Sequence, residues 1–171
     1  MIIQEKITII QDLISHAQIT KTRKDIIRAI NEFKILSIAC IIANITPQTF
    51  AVKIYVEIIQ PIEKEFSFNI INFLMIIPII IADCKNLTFD NYTTSHFIQE
   101  TINNGANPDI VDECGYNSFL FACVYFNISE YKNFVANDDE LEVFKIIMQH
   151  TLTPDCFNIG SYVNDNITMR I

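Results

Sequence analysis

Glycine is the rarest turn-former in this chain, with three in 171 residues at Gly105, Gly115 and Gly160. Prolines number five. So few turn signals favour a few long elements, and helices over a fold of many short strands. Half of the chain is hydrophobic, and isoleucine dominates that half. Two of the glycines stand ten residues apart in NNGANPDIVDECGYNSFLFAC, residues 103–123, between two apolar stretches. That placement marks a compact junction between helices.

The apolar spacing predicts the helices themselves. Ile3, Ile7, Ile10 and Ile14 recur at intervals of three and four and put one apolar face on a helix over 3–17. A second helix is expected over about 22–44. Thr46 followed by Pro47 reads as an N-cap and a first-turn proline, opening a third helix to about Gln60, which Pro61 ends. Further helices are expected over about 69–82 and 94–104. Gly105 then stands as the residue after a helix end, where a left-handed conformation costs glycine little. Asn107-Pro108-Asp109 forms a turn, residues 110–114 an extended tip, and Gly115 returns the chain with positive φ. Asn117 caps the next helix, SFLFACVYF, whose near-uniform apolarity says that it is buried. EVFKIIMQH, ending at His150, supplies one more.

Composition narrows the function. The net charge is −8, and it is uneven: residues 1–34 carry six basic and four acidic groups, the rest six and sixteen. An acidic body repels a polyanion, so nucleic acid is not expected as a partner. Cys40, Cys84, Cys114, Cys123 and Cys156 are odd in number and scattered, which fits a reducing, cytoplasmic setting rather than a disulfide framework or zinc site. The continuous apolar run at 73–82 falls far short of the roughly 20 residues that span a bilayer, so no membrane is expected.

Helix, glycine, turn, extended tip, glycine and buried helix form a unit that invites a search for repeats. Residues 103–123 resemble the ankyrin-repeat junction G-A-D-P-N-x-x-D-x-x-G-x-T-P-L-H-x-A-A. Gly105, Ala106, Pro108, Asp112, Gly115 and Ala122 match it, and Asn107, Asp109, Phe119 and Cys123 are close substitutes. Asn117, Ser118 and Leu120 depart from T-P-L-H, so its threonine–histidine hydrogen bonds are absent. Pro108 and Pro154, Tyr116 and Tyr162, Phe73 and Phe119, and Phe97 and Val143 all lie 46 apart. Against an ankyrin repeat of about 33 residues, each unit then carries about 13 more, placed between inner and outer helix in DCKNLTFDNYTT and ISEYKNFVANDD.

The resemblance implies an all-α, ankyrin-like solenoid of stacked helical hairpins with short finger turns. Its divisions are 1–68 (capping helices and a degenerate repeat), 69–114 and 115–160 (two repeats with insertions) and 161–171 (a tail). The tail leaves no room for two further helices, so the stack ends there in a frayed finger or the chain is a piece of a longer one. The implied function is a non-enzymatic protein–protein interaction module. Its isoleucine and asparagine content fits an AT-rich genome, and many ankyrin-like proteins of intracellular bacteria and large DNA viruses engage host proteins.

No pattern for catalysis stands out. His16, His96 and His150 fall on three different helices, away from any glycine elbow, and a nucleophile needs its base beside it. Neither a metal nor a cofactor is expected. Two regions are candidates for meeting a partner. The finger tip offers Asp112 and Glu113 beside Ile110 and Val111. The two insertions are expected to lie side by side as an ordered ridge with Phe89, Tyr92, Tyr131 and Phe134 among Asp90, Asp138, Asp139 and Glu140. Such acidic surfaces favour a basic protein partner. Two alternatives stay open: a self-assembling structural domain, and an enzyme whose site lies within residues 1–68.

Overall fold

The computed structural model describes residues 2–82, 92–131 and 138–151. Every regular element among them is a helix. α1 spans Ile3–Thr20 and α2 Arg23–Ile42. α3 is composite: an α-turn at Pro47–Thr49, a π-helical stretch at Phe50–Ile59 and a 3-10 turn at Gln60–Ile62. α4 spans Ile70–Ala82, α5 Thr94–Asn103, α6 Ser118–Tyr131 and α7 Asp138–His150.

Local signals account for most boundaries. Thr46 Oγ1 accepts the Thr49 N–H at 3.1 Å and Pro47 fills the first turn of α3. The π spacing that follows aligns residues five apart, so Phe50 with Tyr55 and Ile54 with Ile59 all face the core. α6 runs on to Tyr131, four residues into the segment that the sequence assigned to an insertion.

α2 with α3, α4 with α5, and α6 with α7 form consecutive pairs. Neighbouring pairs meet like with like: α4 touches α6, and α5 touches both α3 and α7. α2 meets α4 through Phe33, whose ring lies 5.7 Å from that of Phe68 and 6.3 Å from that of Phe73. α1 lies against α2 and α3 and closes that side, burying Ile7, Ile10, Ile14 and Ala17. A helix pair cannot enclose its own apolar face, so each depends on the next.

The capping side chains at the starts of α2, α4 and α6 follow a spacing other than 46 residues. Thr22 Oγ1 accepts the Asp25 N–H (3.3 Å), Asn69 Oδ1 the Asn72 N–H (3.1 Å) and Asn117 Oδ1 the Leu120 N–H (2.9 Å). Each cap reaches three residues forward at the start of α2, α4 and α6. Their spacings are 47 and 48 residues. Phe73 therefore corresponds to Phe121. Phe119 instead turns to Phe144 of α7, ring centroids 6.2 Å apart.

Candidate functional site

The junction between α5 and α6 is held by side chains from the start of α4. Asn69 Nδ2 donates to the carbonyl oxygens of Ile110 at 2.8 Å and Pro108 at 3.4 Å, with Ser118 Oγ 3.0 Å away. Asn72 Nδ2 donates to Asp112 Oδ2 at 3.0 Å and to the Tyr116 carbonyl at 3.2 Å. Gly105 and Gly115 take φ of +103° and +87°, the left-handed region that glycine alone enters freely.

Between this junction and the helices lies a groove of about 360 Å3. Phe68, Phe73 and Phe121 line it from the turn before α4, from α4 and from α6. Ile27, Ile30 and Lys34 come from α2, and Glu113 and Cys114 from the finger. Lys34 Nζ stands 5.9 Å from the ring centroids of both Phe68 and Phe73, a distance at which a cation is attracted to the ring face. Neither Lys34 nor Glu113 forms an ion pair among the described residues. Asn72 Oδ1, buried in the groove wall, also has no hydrogen-bond partner among them. The groove thus joins an apolar floor to a cation, Lys34, and an anion, Glu113, neither of them paired with an opposite charge among the described residues.

The residues singled out from the sequence separate into distinct roles. Ile110 is half-buried, and its carbonyl serves Asn69. Asp112 is committed to the junction: its Oδ1 accepts the N–H groups of Cys114 and Tyr116, both at 2.9 Å, and its Oδ2 takes Asn72. That leaves Glu113, exposed at the groove rim, as the finger's available charge. Asp139 caps α5, with the Thr94 N–H 3.1 Å from Oδ2 and the Ser95 N–H 3.3 Å from Oδ1. Asp138 is exposed in the first turn of α7. Tyr92, expected on the ridge, turns inward: its hydroxyl donates to the Leu74 carbonyl at 2.9 Å and its ring lies 4.8 Å from that of Phe97. Burial pushes its pKa up. Phe89, Asp90, Phe134 and the Tyr131 side chain lie outside the described residues.

Two polar clusters occur within residues 1–68. At the α1–α2 junction, His16 Nε2 lies 3.5 Å from Asp25 Oδ2. The hydroxyls of Thr20 (2.7 Å) and Thr22 (2.8 Å) donate to that same oxygen, and they hold the Asp25 pKa below its ordinary value. Neither hydroxyl is bonded to the imidazole, so the cluster has the form of a helix cap rather than of a nucleophile with its base. The second cluster is the buried pair of Tyr55 and Glu63, in which the phenol donates to the carboxyl. Among the described residues no group of three His, Cys, Asp or Glu side chains could hold a metal ion.

The groove was missed because Lys34, Phe68 and Phe73 sit in unrelated sequence contexts. The capping signals could have pointed to it: Thr22-Arg23-Lys24-Asp25 has capping-box spacing, and Asn69 precedes an apolar run as Asn117 does. Among the described residues no helix is long and apolar enough to cross a membrane. The described residues thus form an all-helical fold with an apolar, charge-flanked groove along its paired helices. Comparison with protein-family models, with curated proteins and with solved structures finds no match to the chain.

Proposed function

We propose that the chain is a non-enzymatic protein-interaction module, an ankyrin-like stack of helical hairpins that binds a partner protein in the groove between its inner helices and finger. One observation carries this reading: three successive inner helices begin with equivalent side-chain caps 47 and 48 residues apart, and the groove runs along the face that they share. In this reading α2, α4 and α6 are the inner helices, α3, α5 and α7 the outer ones, and α1 is a terminal cap.

The partner places an apolar side chain over Phe68, Phe73 and Phe121 and a basic one against Glu113. Overall charge of −8 steers a basic partner toward the chain and makes the association weaken with salt. A host-cell protein is the partner class that the ankyrin resemblance implies.

Capture from a eukaryotic lysate tests the proposal. The wild-type chain should retain a basic protein that the double variant Ile27→Asp, Glu113→Lys loses, with the thermal midpoint unchanged. A retained protein that is indifferent to both substitutions but lost on Asp138→Lys would move the interface to the outer helices.

A further inference from the structure

Glu63 is the most deeply buried acidic side chain among the described residues, 3% exposed at the end of α3. Its Oε1 accepts the Tyr55 hydroxyl, while its Oε2 is buried without a hydrogen-bond partner. Its backbone carbonyl accepts the Phe68 N–H at 2.9 Å, closing the turn 63–68 that delivers Phe68 and Asn69 to the groove. Ser67, in the same turn and lining the groove, has φ +50°, a conformation that costs a residue with a Cβ. Carboxyl group, strained turn and groove floor are thus one continuous unit.

We infer that Glu63 is a protonation latch: its neutral carboxyl lets the 63–68 turn close against Tyr55, and its ionisation loosens that turn and the groove floor it carries. An ionised carboxylate here would be a buried charge with an unmatched oxygen, which is far costlier than a buried neutral acid. Burial accordingly raises the carboxyl to about 7, against smaller opposing contributions from the Tyr55 hydroxyl and the Ile70 N–H. Surrounding charges do little to compensate. Tyr55 of α3 touches the carboxyl, and Lys53 and Glu57 of that helix pair with each other at 3.9 Å. Lys64 and Glu65 share the turn but are exposed, and Glu65 accepts from Gln18 of α1 at 3.1 Å. In α1, Glu5, Asp12 and His16 are exposed and Lys6 is half-exposed. α4 contains no ionisable residue. Lys34 of α2 stands over Phe68 and Phe73, and Glu100 of α5 meets Gln48 at 3.5 Å.

This regulation rests on the groove being the binding surface, but its test needs no partner. The full-length chain, labelled with 13C at glutamate carboxyls and 15N at amides, is titrated by NMR. The Glu63 carboxyl should titrate near 7, and the Ser67, Phe68 and Asn69 amide signals should move with the same midpoint. In Glu63→Gln those amide signals should stay still across that range. Tyr55→Phe, which removes a donor to the ionised form, should move the Glu63 midpoint upward. A Glu63 midpoint among the ordinary carboxylates, amide shifts that persist in Glu63→Gln, or a midpoint unmoved or lowered in Tyr55→Phe would each overturn the latch. Should Glu63→Gln fail to fold, the wild-type and Tyr55→Phe titrations decide. Loss of the latch would leave the groove reading standing on its own capture experiment.

Discussion

Asp139 at the start of α7 caps the N-terminus of α5 at Thr94, carboxylate to N–H 3.1 Å. Thr93, the residue in the local capping position, makes no side-chain cap bond. The next helix pair therefore supplies the cap that α5 lacks, so the ends of α5 and α7 are stabilised together.

Asp139→Ala should destabilise the chain by about 1–2 kcal/mol, the range for lost helix caps, as read from urea unfolding. Asp139→Asn keeps an acceptor and should lose less. Asp138→Ala, at an exposed neighbour, should stay within about 0.5 kcal/mol of wild type. Equal effects at 138 and 139 would contradict the trans cap.

The two junction glycines should respond differently to alanine. Both have positive φ, which costs an L-residue roughly 1–2 kcal/mol. A Cβ on Gly115 meets nothing within 4 Å, whereas one on Gly105 would lie 2.5 Å from Gln60 Nε2. That nitrogen donates to the Asn104 carbonyl at 2.9 Å, a bond between α3 and the end of α5. Gly105→Ala should therefore be the more damaging, and Gln60→Ala should relieve part of the excess in a double-mutant cycle. Additive effects would remove the steric account.

Asn69 should be the most sensitive of the three caps that open α2, α4 and α6. Replacing it by alanine removes the cap of α4 and also takes the Asn69 donor from the Ile110 carbonyl, whereas the Pro108 carbonyl keeps the Ser118 N–H at 2.9 Å. A buried polar group without its partner costs about 1–3 kcal/mol, so the total should exceed that of Thr22→Ala, whose cap is exposed and worth about 1 kcal/mol. Chemical denaturation of both variants gives the comparison directly.

Stability should also fall as pH rises toward and through neutrality. Glu63 titrates near 7 in the folded chain, against 4.5 when free. Between those values the folded state binds the extra proton, so its contribution is complete below about 4.5, shrinks as pH rises and is gone above about 7. The Glu63→Gln thermal midpoint should lack this component across that window. Parallel wild-type and variant curves would contradict it.

Much of this was legible in the chain because it is local. The threonine–proline start of α3, the Asn117 cap and the two positive-φ glycines depend on neighbours within a few residues. The 46-residue spacing drew on Pro154 and Tyr162, which lie outside the described residues, as well as on Phe73 with Phe119 and Phe97 with Val143; the caps at Thr22, Asn69 and Asn117 follow spacings of 47 and 48 instead. Asp139 looked like an ordinary first-turn acid, since its partner N–H groups belong to a helix more than 40 residues away. Asp112 looked like a free fingertip charge because nothing nearby in sequence announces Asn72. Glu63 was hidden among the charged neighbours of PIEKEF, where only packing against Tyr55 sets it apart.

The groove is tested most directly by hydrogen–deuterium exchange of the full chain with and without the protein that it captures. The account predicts slowed exchange at the exposed finger and preceding turn, residues 110–116 and 63–69, with the outer helices α5 and α7 unchanged. Protection confined to α5 and α7, with finger and turn exchanging as in the free chain, would contradict it.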